Sequence, residues 1–154
     1  MGGMLIIGAG LAGLTAAETL RAGGYDGPIT LIGNENHAPY QRPPLSKGFL
    51  QGDTAEAQLT MRSAEVMEKK NLALKVGAGV TAIDRAARQV TLGDGSTLAY
   101  DGLALCTGAR LRPLPLPGAD WQGIFGLRSL DHSLAIKAAL EAAQNVVIIG
   151  GGFI

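Results

Sequence analysis

Several common resources are scarce in this chain. Its 154 residues hold one cysteine, Cys106, so no internal disulfide can form. That fits a reducing compartment, and the cytoplasm is the expected location. Only two histidines occur, His37 and His132, and they lie far apart. They point to no metal site and to no Ser/His/Asp arrangement. Neither sign of charge prevails, with 13 Lys and Arg against 13 Asp and Glu. A basic stripe for nucleic acid or for an anionic membrane is therefore not expected. No apolar run reaches the roughly 18 residues needed to span a bilayer. The sequence has no solenoid-type repeat and no low-complexity tract. Its first apolar run, Met4–Ile7, leads straight into a glycine motif, unlike a secretory leader.

Glycine, by contrast, is plentiful: the chain has 23, placed at turns with no collagen-like period. Gly8-Ala9-Gly10-Leu11-Ala12-Gly13 follows Met4–Ile7, which reads as a buried strand. Leu11–Ala22 reads as a helix that ends at Gly23-Gly24, and Ile29–Ile32 as a second strand. Together they make a βαβ unit. In such a turn Gly8 allows the sharp bend, Gly10 lets main chain approach a pyrophosphate, and Gly13 lets the helix pack on the strand. The helix start, at Leu11 and Ala12, presents N–H groups to phosphate. Glu35 lies 22 residues beyond Gly13, where a carboxylate accepts ribose hydroxyls and repels a 2′-phosphate. This spacing points to a dinucleotide.

Further along, Ser46 is a candidate cap for a short helix through Leu50, and Ser63 for another through Lys70. Leu72–Val76 reads as a third parallel strand. Val80–Ile83, Gln89–Leu92 and Thr97–Tyr100 are short β pieces, with Gly93-Asp94-Gly95 as a hairpin turn. Leu103–Cys106 returns to a buried strand, and Cys106 reads as a small buried hydrophobe. Pro113, Pro115 and Pro117 stiffen a connector. Asp131–Ala143 reads as a helix started by Asp131 or Ser133. Trp121 reads as packing material. Val146-Val147-Ile148-Ile149 reads as a strand, Asn145–Ile149, ahead of a second glycine turn, Gly150-Gly151-Gly152-Phe153-Ile154.

The expected fold is α/β: a Rossmann-like parallel sheet with a small antiparallel layer, broken off at the start of a second lobe. Residues 1–112 are expected to form the first lobe, 113–144 a linker and connecting helix, and 145–154 the first strand and partial turn of the second. The sequence ends one residue before the third glycine of the second pattern would fall. The expectation is therefore of a larger two-nucleotide enzyme.

Tyr40-Gln41-Arg42-Pro43-Pro44-Leu45-Ser46-Lys47 resembles the signature loop of FAD-dependent pyridine-nucleotide reductases of the ferredoxin/rubredoxin reductase type, the group that includes putidaredoxin reductase and apoptosis-inducing factor. The resemblance runs through Gly8–Gly13, Thr107-Gly108-Ala109, Leu127-Arg128-Ser129-Leu130-Asp131 and Gly150–Ile154. It implies FAD as cofactor, NAD(P)H as donor in the parent enzyme, and a ferredoxin or rubredoxin-type carrier as partner. It also implies site residues. Ala12 would meet the FAD pyrophosphate; Asn34 and Glu35 would lie at the ribose. Arg42 would lie along phosphate and ribose, and Lys47 near the flavin N5 edge, where a cation favours negative charge on the reduced ring. Val80 would meet the adenine by main chain. Thr107, Gly108 and Ala109 would form the turn passing the cofactor, and Arg128 would reach back to it. Gly150 and Gly152 would open the nicotinamide-nucleotide turn. The resemblance further implies that the FAD lobe is completed by a later segment. The 154-residue chain alone is therefore expected to bind FAD weakly or not at all and to have no NADH-dependent activity. The other readings are a nitrite-reductase-type or NADH-oxidase-type flavin subunit, and a non-catalytic dinucleotide-binding module.

Overall fold

The computed structural model describes residues 2–152 and divides into two compact units. One comprises the residues up to Tyr40 together with Thr60–Gly108; the other comprises Gln41–Leu59 and the residues from Ala109 on.

The first unit is built on four parallel strands: β1 (Met4–Ile7), β2 (Ile29–Ile32), β3 (Leu72–Lys75) and β7 (Gly102–Leu105). Their order is β3-β2-β1-β7. The register places Ile6 opposite Leu31 on one side and Ala104 on the other. Successive side chains on a strand face opposite ways, so β1, β2 and β7 each feed two cores. Ile6, Ile29 and Leu31 pack with Leu14 and Ala17 of α1 (Leu11–Ala22) and Met67 of α4 (Ala64–Lys69). Leu5, Ile7 and Ile32 pack on the other face with Val90, Leu92 and Tyr100. That second cover is an antiparallel layer, β4 (Val80–Asp84), β5 (Gln89–Leu92) and β6 (Thr97–Ala99), ordered β4-β5-β6. Ser63 caps α4, accepting from the Val66 N–H at 3.3 Å.

The second unit has no strand among its described residues. A 3-10 turn over Pro43–Ser46 leads into α2 (Gly48–Gln51), followed by α3 (Glu56–Leu59) and, later, α5 (Leu130–Ala142). Leu45, Phe49, Leu59 and Leu130 are its buried apolar residues.

Five sequence expectations need correction. Ser46 ends the 3-10 turn and does not cap a helix; Lys47 is the N-cap of α2. Consecutive prolines at 43 and 44 fix φ near the helical value and start the tight turn early. Secondly, α5 begins one residue sooner than expected, with Ser129 as its cap. Thirdly, α3 was not anticipated. Fourthly, Leu103–Cys106 is not fully buried: β7 is an edge strand, Leu105 is exposed and Cys106 is half-buried against the helix-side core. Lastly, residues 145–149 form no strand, and Ile148 is 81% exposed. An extended segment needs a neighbour for its N–H and C=O groups, and none pairs with it among the described residues. Phe153 and Ile154 of the second glycine turn lie outside the described residues.

Candidate functional site

The first glycine turn, between β1 and α1, is held by backbone contacts. Gly8 has φ +117, and a Cβ there would lie 2.0 Å from the Cys106 carbonyl oxygen. Its N–H donates to Ile32 O at 2.8 Å. A Cβ on Gly13 would lie 1.9 Å from Gly8 O, so the helix sits on the turn as closely as main chain allows. Gly10 differs from both: a Cβ there would meet nothing within 4 Å. The space in front of Gly10 is unfilled by protein, so its lack of a side chain serves no internal packing. Gly10 is also the N-cap of α1, has no side chain with which to cap the helix, and no acid occupies the first turn. The N–H groups and partial positive charge of this helix start suit an external anion. Leu11, 68% exposed, and Ala12 flank the same opening.

Glu35 follows β2 and is half-buried. The Tyr40 hydroxyl donates to its Oε2 at 2.5 Å, a charge-assisted bond to the carboxylate. Asn34 is exposed, and a Cβ on Gly79 would come 2.7 Å from its Oδ1. Val80 opens β4 and packs against the second core. Thr107 and Gly108 follow β7; both are exposed, and Gly108 has φ +66.

In the second unit, Arg42 donates from Nη1 to Arg128 O at 2.8 Å. Arg128 in turn donates from Nε to Ala109 O at 3.0 Å. These bonds place the two arginines and Ala109 side by side. Lys47 is exposed, with φ −132 and ψ −117 at the head of α2. Gly150 has φ +110, and Cβ atoms at Gly150 and Gly152 would meet nothing within 4 Å. Trp121 is exposed; its ring lies 3.2 Å from where a Cβ on Gly118 would sit.

The roles of three polar residues were missed. Tyr40 was read only as part of a signature loop, although its place five residues after Glu35 hinted at a pairing. Ser133 is fully buried and donates its hydroxyl to Leu45 O at 2.7 Å. His132 completes a capping box with Ser129: Ser129 Oγ accepts from the His132 N–H, and His132 Nδ1 accepts from the Ser129 N–H, each at 3.3 Å. The usual signal has Glu or Gln at that position, so the histidine hid it.

Carboxyls with a displaced pKa lie apart from the glycine turn. Bonds from Arg62 and Lys70 hold Glu18 below the usual glutamate range, and bonds from Ser96 lower Asp94. Among the described residues no group of three or more His, Cys, Asp or Glu could hold a metal, and no helix is long and apolar enough to cross a membrane.

The chain is 42% identical over 151 residues to rhodocoxin reductase of Rhodococcus erythropolis, covering 98% of this chain and 35% of that protein. It is 46% identical over 149 residues to the ferredoxin–NAD(+) reductase component of the biphenyl dioxygenase system of Paraburkholderia xenovorans (strain LB400), covering 97% and 36%. Among solved structures, the ferredoxin reductase for the CYP199A2 system of Rhodopseudomonas palustris superposes with a TM-score of 0.86 at 37% identity, covering 92% of this chain and 35% of that one. The chain thus spans about a third of the length of the relatives it matches. The family model described as pyridine nucleotide-disulphide oxidoreductase matches residues 3–154, from the strand before the open glycine turn to the second glycine cluster, and the chain belongs to that family.

Proposed function

We propose that this chain is the FAD-holding part of a reductase that passes electrons from NAD(P)H to a ferredoxin or rubredoxin-type carrier. The observation that carries the reading is the open face of Gly10 at an uncapped helix start, framed by Gly8 and Gly13, which have no such space. A pyrophosphate fits that cradle by both shape and charge. The names of the two sequence relatives support the reductase class, and one of them names ferredoxin and NAD(+).

In this reading Gly8, Gly10, Leu11, Ala12 and Gly13 take the pyrophosphate, and Asn34 and Glu35 take the adenosine ribose. Val80 offers main chain to the adenine. Arg42 and Arg128 hold the cofactor, and Thr107, Gly108 and Ala109 carry the chain past it. Lys47 supplies a cation that stabilises negative charge on the flavin. Bound flavin accepts a hydride and gives up electrons one at a time, chemistry that no side chain here supplies. Residues 1–112 form the leading segment of the FAD lobe, 113–144 connect, and 145–154, with Gly150 and Gly152, begin the NAD(P) lobe. The location is cytoplasmic.

The test is titration of the chain with ADP and with FAD, followed by backbone amide shifts. Saturable shifts at residues 8–14 and 35 are expected, with weak affinity and no NADH consumption. Absence of shifts with millimolar ADP, or shifts confined to other segments, would overturn the assignment.

A further inference from the structure

Glu35 and Tyr40 form a unit that the glycine turn does not explain. The Tyr40 phenol is buried and donates to Glu35 Oε2 at 2.5 Å. Its own position is fixed from several sides. It pairs with Thr60 in an isolated antiparallel bridge. The adjacent Pro39 is buried, and its carbonyl accepts from the Met61 N–H at 2.9 Å. The ring meets His37 edge-on, with centroids 6.1 Å apart. A tyrosine held this firmly is a rigid donor, so its bond to Glu35 fixes where that carboxylate oxygen lies.

We propose that Tyr40 is a positioning residue for ribose recognition: its hydroxyl selects one orientation of the Glu35 carboxylate before any nucleotide arrives. This rests on the reading of Glu35 as the ribose acceptor. A carboxylate already turned toward its ligand binds more tightly because less rotamer freedom is lost on binding. The ligand class it serves is an adenine nucleotide with free ribose hydroxyls. A nucleotide without those hydroxyls makes no bond to the carboxylate and gains nothing from the arrangement.

Comparison of ADP with 2′,3′-dideoxy-ADP on the wild-type chain and on Tyr40→Phe separates this role from a structural one. Phenylalanine keeps the ring and its packing. Wild type is expected to favour ADP over the dideoxy analogue, by amide-shift titration. Y40F is expected to bind ADP about tenfold more weakly, the effect of one bond to a charged group, and the dideoxy analogue unchanged. Equal loss for both ligands would mean that Tyr40 only supports the fold. No loss for ADP would mean that Glu35 needs no positioning; either result overturns the proposal and leaves the nucleotide site standing. Wild type that binds ADP and the analogue equally would remove Glu35 from ribose recognition, and Tyr40 with it. Failure of wild type to bind either ligand would instead overturn the reading of the site, and with it any ligand role for Tyr40.

Discussion

The two units order their candidate ligand groups by different means. In the first, the glycine turn is set by main chain: Gly8 against Cys106 O, Gly13 against Gly8 O, with paired strands on either side of β1. Main chain has no rotamers, so this turn exists complete without a ligand. In the second, the cations stand on short elements tied by side-chain bonds that reach far along the sequence. Arg42 reaches Arg128, Arg128 reaches Ala109, and Ser133 reaches Leu45. Large apolar side chains stay exposed there, among them Leu116, Trp121 and Phe125. One unit is a prebuilt cradle; the other holds its charges by a few individually replaceable bonds. Substitutions should therefore act globally in the first unit and locally in the second.

The largest expected effect sharpens this contrast inside the turn itself. Gly13→Ala forces a methyl into the space of Gly8 O and should cost about 3 kcal/mol, because the nearest atoms, those of the Gly8 carbonyl, are backbone. Gly10→Ala adds the same methyl to empty space and should leave the denaturation midpoint nearly unchanged. Its cost appears in ligand binding: ADP affinity should fall, since the methyl fills the room a pyrophosphate needs. Denaturant unfolding beside an ADP titration checks both. A destabilised Gly10→Ala, or one that binds ADP normally, would break the comparison.

Next in size is Arg21, at the last turn of α1. Its guanidinium donates to the carbonyls of Lys70, Tyr25, Gly27 and Asn71, which joins the helix end to two loops of the first unit. Arg21→Met should cost about 2 kcal/mol and shift the unfolding of the whole unit, since it strips several acceptors of one charged donor. In the second unit Ser133→Ala removes one buried bond and should cost about 1 kcal/mol. Its effect should be local: faster hydrogen exchange at residues 45–51, little change in the sheet. Equal spread of the two effects through the chain would show that the units are not held differently.

The first unit was far more legible in sequence than the second, for a physical reason. Met4–Ile7 and Ile29–Ile32 are short, largely apolar runs and Leu11–Ala22 is rich in helix formers, all local signals, and both strands and the helix fall at the expected residues. The hairpin at Gly93-Asp94-Gly95 was also readable, because turn chemistry is local. The second unit depends on pairings between distant residues. Nothing at Leu45 announces that a serine 88 residues away will satisfy its carbonyl. Nor does Ser129 signal a cap when its reciprocal partner is a histidine. The strand expected at 145–149 illustrates the limit from the other side: Val146–Ile149 has β propensity, yet a strand requires a partner as well as a composition.

The smallest effect probes an ion network on the first unit, and its sign follows from the titration. Glu18, whose side chain is 19% exposed, accepts from Arg62 at 2.9 Å and from Lys70 at 2.5 Å. Those bonds lower its pKa from the ordinary 4.5, the Arg62 bond contributing most. A carboxyl depressed in the folded state stabilises the fold fully above its unfolded pKa. The contribution fades as pH falls below 4.5 toward the folded value, because the folded state must then take up a proton it binds weakly. Arg62 is 42% exposed, so water and salt screen the network and about 0.5–1 kcal/mol is the expected size. Glu18→Gln should therefore unfold slightly more easily than wild type at pH 7, and the gap should narrow as pH falls below 4.5. Raising the salt to about 1 M should narrow it at neutral pH as well. Because Glu18 sits on α1 and Lys70 beside β3, the loss should appear in the first unit alone, without touching hydrogen exchange at α2 or α5. A gap that does not narrow as pH falls below 4.5 would mean that Glu18 stabilises by packing rather than by charge.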